Sequence, residues 1–167
     1  MKSILLAIGF LLLTAVSATA QSPLPKGAKQ FNAGVGLSGR GIPVYLGLDF
    51  GVHPDISVGA EVNFRKYTHG PKPFDHSHNI VGILGNANYH FNRLIGIPSN
   101  WDLYAGVNLG FYIYGDDDEF DEDLDDGLDF GAQIGGRYYF TPRVGVNLEF
   151  GGGTTLHGGK LGISVKF

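Results

Sequence analysis

From Phe31 to the final Phe167 the chain alternates apolar and polar residues with a period of two, and almost nowhere with the 3.6-residue period of a helix. Successive strand side chains point to opposite faces of a sheet, so this pattern predicts an all-β fold with little or no helix. Phe31, Ala33, Val35 and Leu37 share one face of a first strand, and Leu46, Leu48, Phe50 and Val52 one face of a second. Ile56 to Phe64 and Val81 to Phe91, read at every other residue, make a third and a fourth. The later sets run Trp101 to Ile113, Leu128 to Phe140, Val144 to Phe150 and Leu161 to Phe167, which gives eight strands. Glycine interleaved with aromatics along such strands suits a barrel wall.

The opposite faces are polar, with Asn32, Asp49, Ser57, Glu61, Asn63, Arg65, Asn86, Asn88, His90, Asn108, Gln133, Arg137, Asn147, Glu149, Ser164 and Lys166. Alternation alone fits a soluble barrel, apolar inside, as well as its inverse. Three features favour the inverse. Aromatics on the apolar face gather toward the strand ends, Phe50, Tyr89, Phe91, Trp101, Tyr138, Phe140 and Phe167 at one end and Phe64, Phe111, Phe130 and Phe150 toward the other. Two girdles around an aliphatic band are what two membrane interfaces select. The connections alternate between Pro-containing turns, at His53-Pro54-Asp55 and Thr141-Pro142, and longer polar links at Tyr67 to Ser77 and Gly115 to Gly127; the link from Asn92 to Asn100 is longer than the other turns on its rim. Only a closed sheet satisfies every backbone group within lipid. The expected fold is therefore an eight-stranded antiparallel transmembrane β-barrel, an up-and-down meander over residues 30–167.

The N-terminus has its own signature. Lys2, an apolar run from Ile4 to Val16 and Ala18-Thr19-Ala20 make the charged start, hydrophobic centre and small-residue cleavage site of a secretory signal peptide over residues 1–20. The mature chain then begins near Gln21, with 21–29 a short segment ahead of the barrel. No cysteine is present to staple or lipidate it.

Without Lys2 the chain carries 11 basic and 16 acidic residues. Nine of those acids lie between Asp116 and Asp126, so the rest of the chain is mildly basic and one link is strongly acidic. No basic stripe with interleaved aromatics is available for nucleic acid. A weak internal repeat aligns His53 to Val62 with Thr141 to Phe150, each a turn leading into a strand with an inward Glu.

The signal peptide, the eight alternating strands and the ending Leu161-Gly-Ile-Ser-Val-Lys-Phe167 together resemble the small eight-stranded outer-membrane barrels of Gram-negative bacteria, the OmpA/OmpX/OmpW-like group. The resemblance implies an integral outer-membrane location with both termini in the periplasm, and Phe167 as the terminal residue read by the barrel assembly machinery. It implies a monomer surrounded by outer-membrane lipid and lipopolysaccharide. Such an architecture speaks to place and fold far more than to activity.

Candidate sites are few. Gly34-Val-Gly-Leu-Ser-Gly39 spells a dinucleotide fingerprint, but Pro43 and a strand follow it where a helix is needed. No Gly-x-Ser-x-Gly elbow or cysteine nucleophile exists, and His90 is the one histidine that parity turns inward, so no enzyme is expected. The inward charges Asp49, Glu61, Arg65, Arg137, Glu149 and Lys166 are expected to form an ion-pair network, because an eight-stranded lumen is just wide enough for side chains to fill. The alternative is a narrow conduit in which Glu61 and Glu149 exchange partners among Arg65, Arg137 and Lys166. His76 and His78 make a His-x-His pair on a Pro-rich link, too few ligands for a dedicated metal site, so only adventitious binding is expected. In the acidic link Asp121, Asp123 and Asp125 alternate as in a calcium loop, but Gly127 comes one place late and Ala132 stands where a bidentate Glu is needed. Asp116, Asp117, Asp118, Asp121, Asp123, Asp125 and Asp126 are therefore expected to bind Ca²⁺ or Mg²⁺ weakly at most, with no other cofactor.

The sequence predicts a non-enzymatic outer-membrane protein with a structural or surface-contact role through links 67–77 and 115–127. The alternative is a narrow channel or transporter for small or hydrophobic solutes.

Overall fold

A computed structural model describes residues 23–38, 42–69, 76–115, 127–153 and 157–167. The strands are β1 (Lys29–Ser38), β2 (Val44–His53), β3 (Ile56–His69), β4 (His76–His90), β5 (Trp101–Gly115), β6 (Gly127–Tyr139), β7 (Val144–Gly153) and β8 (His157–Lys166). One helical turn, α1 (Asn92–Ile95), stands between β4 and β5. Each strand pairs antiparallel with its sequence neighbours, and β1 pairs with β8, so the meander closes into a barrel with no free edge. The seam is tied at its end by reciprocal bonds, Lys29 N–H to Phe167 O at 3.2 Å and Phe167 N–H to Lys29 O at 3.0 Å.

The register fixes the tilt. Followed around the barrel through Lys29, Phe50, Val58, Ala87, Val107, Ala132, Gly152 and His157, the pairing returns to β1 one residue beyond Ser38. That stagger of about ten residues inclines the strands, as closure requires, by roughly 35–45° to the barrel axis.

The polarity of the molecule is inverted. Leu46, Leu109, Phe130, Ile134 and Leu161 are each more than half exposed, whereas Gln30, Asp49, Ser57, Arg65, His90, Asp102 and Arg137 are buried. In water, a belt of apolar side chains on every strand would forfeit about 25 cal/mol for each Å² of apolar surface left uncovered. Hydrocarbon covers such a belt without that loss, and closure of the ladder pairs the two edges that an open sheet would turn to lipid.

Three local features depart from the sequence reading. The expected link Tyr67 to Ser77 is strand at both of its ends, since Tyr67 pairs with His78, Thr68 with Ser77 and His69 with His76, while 70–75 lie outside the described residues. β8 starts at His157, ahead of the expected Leu161, so Gly152, Gly153, Gly158 and Gly159 belong to the ladder. Glycine has weak strand propensity by itself, and here neighbouring strands supply the pairing that propensity does not. The link from Asn92 to Asn100 contains α1, where Asn92 donates to Trp101 O and accepts from Leu103 N–H, and Gly96 ends the turn at φ 66°.

Residues 23–28 fold back against the short-turn end. Leu24 is buried, Gly27 N–H bonds Gly51 O at 2.8 Å, and Gly51 N–H bonds Ala28 O at 3.0 Å. A Cβ on Gly51 would collide with the carbonyl oxygens of Leu24 and Pro25, so a glycine is required there for the segment to lie on the mouth.

Candidate functional site

The lumen is filled mainly by polar layers built by residues of even spacing on neighbouring strands, with one apolar cluster of Ile80, Leu84 and Tyr112. At the short-turn end, Asp102 and Arg137 are direct cross-strand partners, as are His90 and Tyr104. Arg137 Nη1 donates to Asp102 Oδ2 at 2.8 Å, and its Nη2 reaches across the lumen to Asp49 Oδ2 at 3.0 Å. Its guanidinium lies 4.1 Å from the centre of the Tyr104 ring, a cation–π contact out of water. His90 Nδ1 lies 2.7 Å from Asp102 Oδ1 and its Nε2 is 2.9 Å from Ser57 Oγ.

The chain of bonds continues around the wall. Asn32 Nδ2 donates to Asp49 Oδ2, Gln30 Nε2 donates to Asn32 Oδ1, and the Tyr139 hydroxyl donates to Gln30 Oε1. Ser164, Asn147 and Tyr45 extend it upward, with Ser164 Oγ to Asn32 Oδ1 at 2.7 Å and Tyr45 OH to Asn147 Oδ1 at 2.7 Å. A network of this density favours one arrangement of its members, although Arg137 Nε within it has no hydrogen-bond partner among the described residues.

Above it lies a second ionic layer. Lys160 Nζ sits 2.8 Å from Glu61 Oε2 and 2.7 Å from Glu149 Oε1, and the Tyr104 hydroxyl donates to Glu149 Oε2 at 2.8 Å. Glu149 and Lys160 are cross-strand partners, whereas Glu61 reaches them from β3. A small polar cavity of about 20 Å³ lies between Lys160 and Arg137. A vestibule of about 100 Å³, lined by Tyr45, Asn63, Arg65, Tyr112, Gln133 and Lys160 among others, opens above.

Of the expected network, Asp49 and Arg137 meet each other, and Glu61 and Glu149 meet through a cation. That cation is Lys160, which stands outside the expected set of Asp49, Glu61, Arg65, Arg137, Glu149 and Lys166. Arg65 is buried beside the Tyr112 ring at 5.8 Å, and Lys166 packs over the Tyr139 ring at 3.3 Å. Lys160 and Asp102 were legible in principle, because both obey the parity that turns Lys166 and Tyr104 inward. Lys160 falls outside the expected strand 8, which starts at Leu161, four residues past the observed His157. His76 and His78 belong by backbone to β4, and their side chains lie outside what is described. Asp116, Asp117, Asp118, Asp121, Asp123, Asp125 and Asp126 lie outside the described residues, as does the segment 1–20. Phe167 is exposed at the seam.

Ser57, His90 and Asp102 have the order of a nucleophile, a base and an orienting acid. Chemistry also needs room for a substrate beside the hydroxyl. Ser57 has no exposed surface, neither cavity reaches it, and Asp102 is shared with Arg137. The three residues are lumen filling.

Tyrosine supplies the remaining bulk by lying over glycine. Tyr104 faces Gly135 directly across the β5–β6 ladder, and a Cβ on Gly135 would overlap the ring. Gly135→Ala is expected to lower stability by about 1–3 kcal/mol through overpacking, read as a shift in urea midpoint of the refolded barrel. An unchanged midpoint would mean that the ring has space to retreat.

A closed meander of eight tilted strands, apolar outside and filled with charged side chains inside, is shared with solved proteins. The N-terminal β-barrel domain of Pseudomonas aeruginosa OprF superimposes with a TM-score of 0.63 at 13% identity, over 85% of this chain and 98% of that one. The chain has the fold of the small outer-membrane barrels. Ail, the attachment invasion locus protein of Yersinia pestis, matches this barrel with a TM-score of 0.54 at 12% identity, over 85% and 99% of the two chains. A de novo designed transmembrane β-barrel matches with a TM-score of 0.52 at 19% identity, over 85% and 97%. No protein-family model and no curated protein matches the sequence.

Proposed function

We propose that this chain is a non-enzymatic integral protein of the outer membrane that acts structurally, or by contact at the cell surface, through its links 67–77 and 115–127. The observation that carries this reading is the seal across the lumen. Arg137, held by Asp49 and Asp102 and covered by Tyr104, crosses the lumen, and the cavities lined by Arg137 and by the Lys160 layer above it measure about 20 and 100 Å³. In planar bilayers the protein is expected to be electrically silent; stepwise conductance from folded protein would overturn the reading.

One observation favours a second reading, a narrow conduit for small or hydrophobic solutes. Lys160 stands between the two free volumes and holds Glu61 and Glu149 at once. Conductance that changes in Glu61→Ala or Glu149→Ala would support the conduit.

Export by residues 1–20, insertion by the barrel assembly machinery reading Phe167, and a monomer beside lipopolysaccharide belong to the same proposal. Ail has been solved with the heparin analogue sucrose octasulfate, a polyanion. Nine carboxylates between Asp116 and Asp126 would repel such a ligand, so contact at this link calls for a cationic surface or for bridging divalent ions. Calorimetry with Ca²⁺ and Mg²⁺ is expected to show weak binding only, and a submicromolar site would contradict it.

A further inference from the structure

We infer that α1 is a membrane anchor, and that its Leu94 and Ile95 side chains sit in the headgroup region of the periplasmic phospholipid leaflet. The inference rests on the outer-membrane placement proposed above and adds a lipid contact made by a link rather than by the barrel wall.

α1 is not a loosely hung loop. Asn92 is fully buried and bonds Trp101 and Leu103 on β5, Ile97 N–H returns to Asn92 O, and Arg93 Nη1 lies 3.3 Å from Asp55 Oδ2 on the β2–β3 turn. The polar members of the turn are thus spent on the protein. Leu94 and Ile95 are left 68% and 56% exposed, as much as the barrel-wall residues Leu46 and Leu109 at 57%. Two adjacent large aliphatic side chains are thus held outward by a turn whose polar groups are fixed to the barrel, and they extend the apolar surface of the wall beside them.

Continuity with the lipid-facing belt identifies what covers these two side chains. Phe91 N–H bonds Leu103 O, so α1 begins where the β4–β5 ladder ends. Around that ladder end stand Tyr89 packed edge-on to Phe91 at 5.3 Å, Trp101 against Tyr138 at 4.8 Å, and exposed Phe140. Such a cluster marks the membrane–water interface. A four-residue turn is about 6 Å long. The headgroup region on each side of the hydrocarbon is about 5–7 Å thick. A turn that starts at the belt therefore ends within the interface, where apolar side chains of an amphipathic turn are buried.

Lipid-resolved fluorescence tests this. The chain has one tryptophan, so Trp101→Phe gives a silent background into which Leu94→Trp or, separately, Ile95→Trp is placed. Each variant is refolded into vesicles of phosphatidylethanolamine and phosphatidylglycerol, with folding checked by the mobility difference of boiled and unboiled samples. Lys26→Trp serves as the aqueous reference and Val107→Trp as the mid-belt reference. At positions 94 and 95 we expect blue-shifted emission, quenching by lipids brominated high on the acyl chain, and acrylamide quenching several-fold weaker than at position 26. If position 107 is quenched by deep bromines while 94 and 95 behave like 26, the anchor is refuted and the membrane placement stands. If position 107 is also quenched like free indole in water, both fall.

Discussion

Arg137→Ala is expected to destabilise the barrel by about 3–5 kcal/mol, the cost of leaving buried charges without their partner. Both Asp49 and Asp102 are essentially unexposed, and Arg137 is the cation shared between them. Truncating it strands two carboxylates in a space that water enters poorly, and also removes the guanidinium face against which Tyr104 packs. Urea unfolding in vesicles, followed by Trp101 emission, would read the loss as a lower midpoint. The companion variant separates charge from bulk: adding Asp49→Asn and Asp102→Asn should recover part of the loss, because two neutral amides no longer require a cation. If Arg137→Ala unfolds at the wild-type midpoint, the seal is not an energetic keystone of the fold. If the double amide recovers nothing, packing rather than charge explains the effect.

The second large effect lies on the opposite face. Val107 is half exposed and sits midway between Trp101 and Ile113 along β5, within the aliphatic belt. Val107→Arg is expected to cost about 2–4 kcal/mol in a bilayer, as a charge on the lipid face near the midplane does. The same substitution on the outside of a water-soluble barrel would change stability by no more than about 0.5 kcal/mol. A neutral result in vesicles would therefore contradict the inverted polarity directly, without reference to any function.

The match to a designed barrel bears on how much of this is ancestry. Two sequences only 19% identical, one of them made by design, reach the same closed meander. Alternation that puts apolar residues outward, with short turns on one rim, is a physical specification that many sequences can meet.

The filling of the lumen is a different matter. Parity says that Glu61, Glu149 and Lys160 point inward, but not which of them touch. Lys160 meets Glu149 because β7 and β8 pair in one register and no other. It meets Glu61, 99 residues away, because the barrel closes and its stagger brings β3 level with β8. The same holds for Arg137 and Asp49, which lie on β6 and β2 and share no ladder. Two of the expected cations, Arg65 and Lys166, point inward and lie against tyrosine rings, and the cation between Glu61 and Glu149 is Lys160.

What the sequence determined by itself was the class of fold, the two faces of every strand and the inversion of polarity, because all three follow from the spacing of residues along a single strand. Strand ends were less legible at His76 and His157, where pairing extends the ladder past residues of low propensity. Only the tertiary structure decided the partners within the lumen, the seal at Arg137 and the outward placement of Leu94 and Ile95. Those depend on register, stagger and closure, which are properties of eight strands together and are written in no one of them.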